Sequence, residues 1–182
     1  MRRIITIFGS SLPVFGDEQY SNAYKLGSIF AQNGFDLCTG GNSGIMEAVS
    51  RGASENGAKA IGITLNGSFG THNTFLTEHR AHDTLFERIQ ALIETGDAYV
   101  ALQGGTGTLL EMAAVWEFMN KGFLHEKPFA CHGSLWKPII DSMEEQIRKE
   151  KRKTGLVKYF ETIDECADYI IRGLNGQMNI GG

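Results

Sequence analysis

Apolar residues arrive in this chain in two alternating rhythms. Short runs at 4–8 ("IITIF"), 35–41 ("FDLCTGG"), 59–65 ("KAIGITL"), 97–102 ("DAYVAL") and 127–132 ("KPFACH") have strand length. They are largely apolar, as strands buried on both faces are. Between them lie stretches of helical period. Residues 18–34 place Tyr20, Ala23, Tyr24, Ile29 and Phe30 near helical spacing, with Gly34 as a C-cap. Residues 44–58 read as a helix closed by Asn56-Gly57, and 82–96 put Leu85, Phe86, Ile89, Leu92 and Ile93 on one face. Helices are also predicted over 107–122, over 134–153 after Pro138, and over 162–174, where Thr162 and Glu165 form a capping box. The stretch 66–74 is polar and without period, "TFLTEHR" (74–80) predicts another short strand, and 156–161 an edge strand.

Strands and helices that alternate in this way imply a parallel sheet covered on both faces. The expected fold is a single doubly wound α/β domain over residues 1–174, followed by a frayed tail at 175–182. In that architecture the binding crevice lies at the carboxyl ends of the strands, so the loops that follow strands are where function is expected.

Bulk properties remove several alternatives. The chain has 182 residues, 42% of them hydrophobic, which suits one domain with a real core. Its formal net charge of −4 gives no broad basic footprint for nucleic acid. The one dense basic run, Arg148 to Lys153, is flanked and interrupted by Glu144, Glu145 and Glu150 and reads as a solvated helix face. No apolar run approaches the ~20 residues that cross a bilayer. The N-terminal "MRRIITIFGSS" has too short an apolar stretch for a signal peptide. Cys38, Cys131 and Cys166 are three in number and widely spaced, which argues against a disulfide framework and for a reducing, cytoplasmic compartment.

Three strand ends carry unusual residues: "FGSSLPVFG" after the first strand, "TGGNSG" after the second, and "LQGGTGT" after the strand at 97–102. On one sheet edge, such glycines let backbone N–H groups approach a ligand, and a helix N-terminus adds donors and partial positive charge. The combination favours a phosphate. Thr108 and Leu109 follow Gly107 where a Walker motif needs Lys and Ser/Thr, and "GGNSGIME" and "GGTGTLLE" both miss the spacing of G-x-G-x-x-G, so a monophosphate is expected rather than a nucleoside triphosphate or a dinucleotide. Glu111 follows the third loop within the first turn or so of its helix. A carboxylate there can serve as a cap, or it can activate water beside a ribose and stabilise an oxocarbenium-like transition state.

"TGGNSGIMEAV" and "QGGTGTLLE" resemble the paired GGxxGxM and PGGxGTxxE motifs of the Lonely Guy (LOG) family, and the likeness runs from "FGSS" at 8–11 to about 132. The resemblance implies a three-layer Rossmann-like fold, a homodimer, and a phosphoribohydrolase. Such an enzyme releases the free base and ribose 5-phosphate from cytokinin riboside 5′-monophosphate or AMP without metal or cofactor. It also implies phosphate binding by Gly104, Gly105, Thr106, Gly107 and Thr108, catalysis by Glu111 and Arg88, and a nucleotide site lined by Gly9, Ser10, Gly40, Gly41 and Met46. Without it, Arg88 would read as a surface ion pair with Glu87 or Asp83. Gln103 stands where the motif has proline, Phe86 where it has histidine, Ile89 where it has lysine, and Asn42 and Glu47 where it has glycines. The family is also labelled "possible lysine decarboxylase", but nothing singles out a Schiff-base lysine. The alternative within the superfamily is a non-catalytic nucleotide or molybdenum-cofactor carrier.

His72, His79 and His82 precede the Arg88 helix without the partner set of a metal site, and are expected to line the crevice. The helix at 107–122 is apolar nearly all round, so its second face needs a partner. With the helix at 82–96 it is expected to form a two-fold dimer interface.

Overall fold

The computed structural model describes residues 2–67 and 72–178. The described residues form seven strands and six helices, alternating except where β3 is followed by β4: β1 (Ile4–Phe8), α1 (Glu18–Gln32), β2 (Asp36–Thr39), α2 (Ile45–Glu55), β3 (Ala60–Leu65), β4 (Glu78–His82), α3 (Leu85–Thr95), β5 (Ala98–Ala101), α4 (Thr106–Asn120), β6 (Phe129–His132), α5 (Trp136–Lys149), β7 (Lys158–Phe160) and α6 (Ile163–Met178). The strands form one sheet in the order β4-β3-β2-β1-β5-β6-β7, every pair parallel. The order reverses between β1 and β5, which makes that junction the switch point of a doubly wound α/β domain.

Side-chain alternation along the strands separates two cores. Ile5, Ile7, Leu37, Ala98 and Val100 point to α1, α2 and α6, whereas Phe8, Cys38, Ile61, Tyr99 and Ala101 point to α3, α4 and α5. The result is three layers. On the first face α1 and α2 pack backbone to backbone. A Cβ at Gly27 would lie 2.5 Å from the Val49 carbonyl oxygen, and one at Gly52 2.4 Å from that of Tyr24. Trp136, fully buried at the start of α5, donates its indole N–H to the carbonyl of Leu102 and so pins the end of β5 from the other face.

The predicted elements are all present, with three displacements. The extra strand lies at Glu78–His82 rather than 74–80, on the sheet edge beyond β3. Leu85 and Phe86 do not join the buried face of α3: they are 44% and 79% exposed, because the Thr84–Glu87 capping box starts the helix there, and of the five apolar residues only Ile89, Leu92 and Ile93 turn inward, with Arg88 beside them. The last helix continues to Met178, so residues 175–178 are helical rather than a frayed tail, and 179–182 lie outside the described residues, as do 68–71 of the polar stretch. The basic run is solvated as expected, with Lys149 paired to Glu145 and Arg152 to Glu150. Among the described residues no helix is long and apolar enough to cross a membrane.

Candidate functional site

The three glycine loops meet at the carboxyl edge of the sheet and are joined by backbone hydrogen bonds. Ser10 N–H donates to the Gln103 carbonyl at 3.1 Å, and Ile45 N–H to the Ser10 carbonyl at 2.8 Å. Gly44 has φ +73°, and a Cβ there would sit 2.4 Å from the Ser10 oxygen, so this junction accepts only glycine. A residue unmarked in the sequence completes the frame. Asn73 is buried; its amide donates to the carbonyls of Gly41 and Asn42, and its backbone N–H also donates to Gly41.

Between these loops lies a cavity of about 400 Å³ whose walls include Gly9, Ser10, Met46, Gly105, Thr106, Gly107 and Thr108, with Arg88 and Glu111. Gly105 at the α4 N-cap has no side chain to cap the helix, and the first-turn N–H groups, which lack intrahelical partners, lie where the cavity begins. Gly104 faces away, toward a neighbouring crevice; it makes room for Thr108, whose hydroxyl a Cβ at 104 would approach to 2.2 Å. Gly40 plays a similar part: a Cβ there would lie 1.9 Å from Arg88 Nη2 and 2.8 Å from Met46 Sδ. Gly41, with φ +73°, packs against Thr64 behind the loop.

Arg88 is only 8% exposed. Its Nε donates to the Ile63 carbonyl at 2.9 Å and its Nη1 to Glu111 Oε1 at 3.0 Å. The surface pairings that the local sequence offered are taken up elsewhere: Glu87 closes the α3 capping box and Asp83 accepts from Asn66. Glu111 lies in the second turn of α4, not the first, which excludes a capping role and sets its carboxylate beyond the N-terminal donors. Burial raises its pKa above the usual value; the Arg88 charge and hydrogen bond oppose that rise. His79 Nε2 meets Thr64 Oγ1 at 2.7 Å and stacks on His72, while His132 Nδ1 lies 3.2 Å from the Phe160 carbonyl. No metal-ligating group of three or more His, Cys, Asp or Glu occurs among the described residues.

A family model described as the SLOG cluster4 family matches residues 2–165. The chain belongs to the SLOG cluster4 family. Curated relatives of this SLOG cluster4 protein include a probable cytokinin riboside 5′-monophosphate phosphoribohydrolase, LOGL5, of Oryza sativa subsp. japonica, 33% identical over 132 residues. That alignment covers 70% of this chain and 52% of the relative, so the chain spans about half of that protein's length. A cytokinin riboside 5′-monophosphate phosphoribohydrolase of Rhodococcoides fascians is 28% identical over 148 residues, covering 77% of this chain and 73% of that one. These names bear out the Lonely Guy resemblance. Among solved structures, the molybdenum cofactor carrier protein of Chlamydomonas reinhardtii matches with a TM-score of 0.76 at 20% identity, covering 96% of this chain and 99% of that one. The molybdenum cofactor binding protein of Rippkaea orientalis matches at 0.73 and 22%, covering 98% of each. At these identities the SLOG cluster4 protein shares their fold.

Proposed function

We propose that this protein is a nucleoside 5′-monophosphate phosphoribohydrolase, which hydrolyses the N-glycosidic bond of AMP or a cytokinin riboside 5′-monophosphate. The observation that carries the reading is the largely buried Arg88–Glu111 pair, 3.0 Å apart, on the wall of the cavity at the α4 N-terminus. A 5′-phosphate accepts hydrogen bonds from the N–H groups of Gly105 to Thr108, where the helix dipole adds about half a positive charge. The ribose then lies one turn further along α4, beside Glu111. The carboxylate stabilises positive charge developing at C1′ and takes the proton of the attacking water, while the C1′–N bond breaks and the base leaves with its electron pair and gains a proton. Arg88, held by the Ile63 carbonyl, fixes the carboxylate and retains further N–H donors for the ligand. No cofactor enters this chemistry. The reading includes a homodimer through α3 and α4 and a cytoplasmic setting, to which three free, buried thiols are suited.

The test is a panel of nucleoside monophosphates assayed for free base by chromatography. Glu111→Gln is expected to lower kcat at least about 10²-fold while AMP still binds. Undiminished base release from that variant refutes the role of Glu111.

A second reading, a non-catalytic carrier of a larger phosphate-bearing ligand such as the molybdenum cofactor, is favoured by one feature. On the far side of the phosphate loop, a crevice of about 540 Å³ shares Ser10, Leu12 and Gly105 with the first cavity and is also walled by Gln103 and Gly104. Ligand retention without base release from any nucleotide selects this reading.

A further inference from the structure

The phosphate loop has open space on both sides. Ser10, Leu12 and Gly105 line the cavity that holds Arg88 and Glu111, and they also line the crevice of about 540 Å³ on the far side. That volume lies within the roughly 300–1,000 Å³ of small-molecule sites. A smaller hollow of about 190 Å³ continues the crevice over the ends of β5 and β6, with Glu18, Gln19 and Gln103 common to both. A phosphate held at Gly105 therefore has room for one substituent on each side: the nucleoside toward Glu111, and a second alcohol toward Gln103.

The far walls are polar and uncommitted. The side chains of Glu18, Gln19, Asn22, Gln103 and Ser134 make no hydrogen bond or ion pair among the described residues. Gln103, which stands where the motif has proline, brings its amide to the turn after β6: a Cβ at Gly133, where φ is +126°, would come within 2.3 Å of the Gln103 Oε1. A proline at 103 offers no such group. Asp17 accepts from the Val14 N–H and, with Glu18, makes the crevice acidic; no lysine or arginine is among the described residues that wall it. Carboxylates without a cation disfavour an anionic group. Amides, a hydroxyl and a carboxylate together present donors and acceptors, and an alcohol hydroxyl matches both because it donates and accepts. The charge at the phosphate points the same way. A monoester carries about −1.5 to −2 at neutral pH and a diester only −1. Arg88, the one lysine or arginine among the described walls of the cavity and the crevice, is already paired with Glu111.

We infer that the substrate is a nucleoside 5′-phosphodiester whose second ester is a small neutral polyol, bound across the phosphate loop with the polyol in the far crevice. The inference rests on the nucleotide-hydrolase reading for the places of the phosphate and the nucleoside. The bond that breaks is the same: the hydroxyl of water adds at C1′, the base leaves with the C1′–N electron pair and gains a proton, and the second product is a ribose 5-phosphodiester.

The experiment measures Kd by calorimetry for AMP, adenosine 5′-(2,3-dihydroxypropyl phosphate) and its near-isostere adenosine 5′-(propyl phosphate). The two diesters carry the same charge and differ only in two hydroxyls. In the wild-type protein the dihydroxypropyl diester is expected to bind at least as tightly as AMP and about tenfold more tightly than the propyl diester. In Gln19→Leu/Gln103→Leu the ratio between the diesters is expected to fall close to one; taking a ratio cancels any general change in affinity. Diesters that both bind tenfold or more weakly than AMP, a wild-type ratio at or below one, or a ratio that survives in the double variant overturns the inference. The wild-type comparison decides alone if the double variant does not fold. Base release from the same three compounds is followed by chromatography. If none releases base, the hydrolase reading fails separately, and the Kd values still decide the diester inference.

Discussion

Glu111 sits between two opposing influences. Burial favours its neutral form, Arg88 favours the carboxylate, and the net effect raises its pKa above 4.5. A carboxyl group that binds its proton more tightly folded than unfolded makes its fullest contribution to stability below the unfolded pKa. That contribution is lost as pH rises through the folded value. The difference in Tm between wild type and Glu111→Gln is therefore expected to shift in favour of wild type as pH falls from neutrality through the raised pKa. A flat difference across that window contradicts it. Arg88 shows why a residue's neighbours in sequence mislead: Glu87 is next to it and Asp83 a little over one helical turn before it, yet both are held by other partners. Its actual partner, Glu111, comes from another helix and lies 23 positions away.

Helix starts set the site. The α3 capping box fixes where that helix begins and so turns Arg88 inward, and the missing cap on α4 leaves its N–H groups for a ligand. On the opposite face the contact of α1 with α2 depends on the absence of side chains at Gly27 and Gly52. Glycine to alanine inside a solvated helix is stabilising by up to about 1 kcal/mol. At Gly52 the added Cβ would meet the Tyr24 carbonyl at 2.4 Å, and overpacking of this kind costs roughly 1–3 kcal/mol. Gly52→Ala is therefore expected to lower Tm by several degrees, read by calorimetry. A rise would mean that α1 and α2 separate without cost.

For the whole molecule the open question is the outer face of α4. Met112, Val115, Trp116 and Met119 face the sheet, which leaves Leu109, Leu110 and Phe118 exposed, with Phe123 edge-on against Phe118, and Phe86 at the start of α3 is exposed as well. Such a patch on a helix already buried on its other side fits a self-complementary two-fold contact. Sedimentation at micromolar concentration is expected to give a dimer, and Phe86→Glu/Phe118→Glu a monomer. A wild-type monomer removes the proposal.

Most of the architecture was legible in the chain because burial on both sheet faces writes itself into unbroken apolar runs, and helix packing into a 3.6-residue period. Those local rhythms determined the order of elements, the parallel sheet and the three glycine loops at its edge. Tertiary structure alone decided the rest: that Arg88 is buried against Glu111, that Gly40 is there for Arg88 and Gly104 for Thr108, that Asn73 holds the second loop, and that two histidines stack beside it. A periodicity reports which face of an element is dry. It carries no information about which distant groups meet, because those meetings depend on how the crossovers bring β1, β2, β3 and β5 side by side.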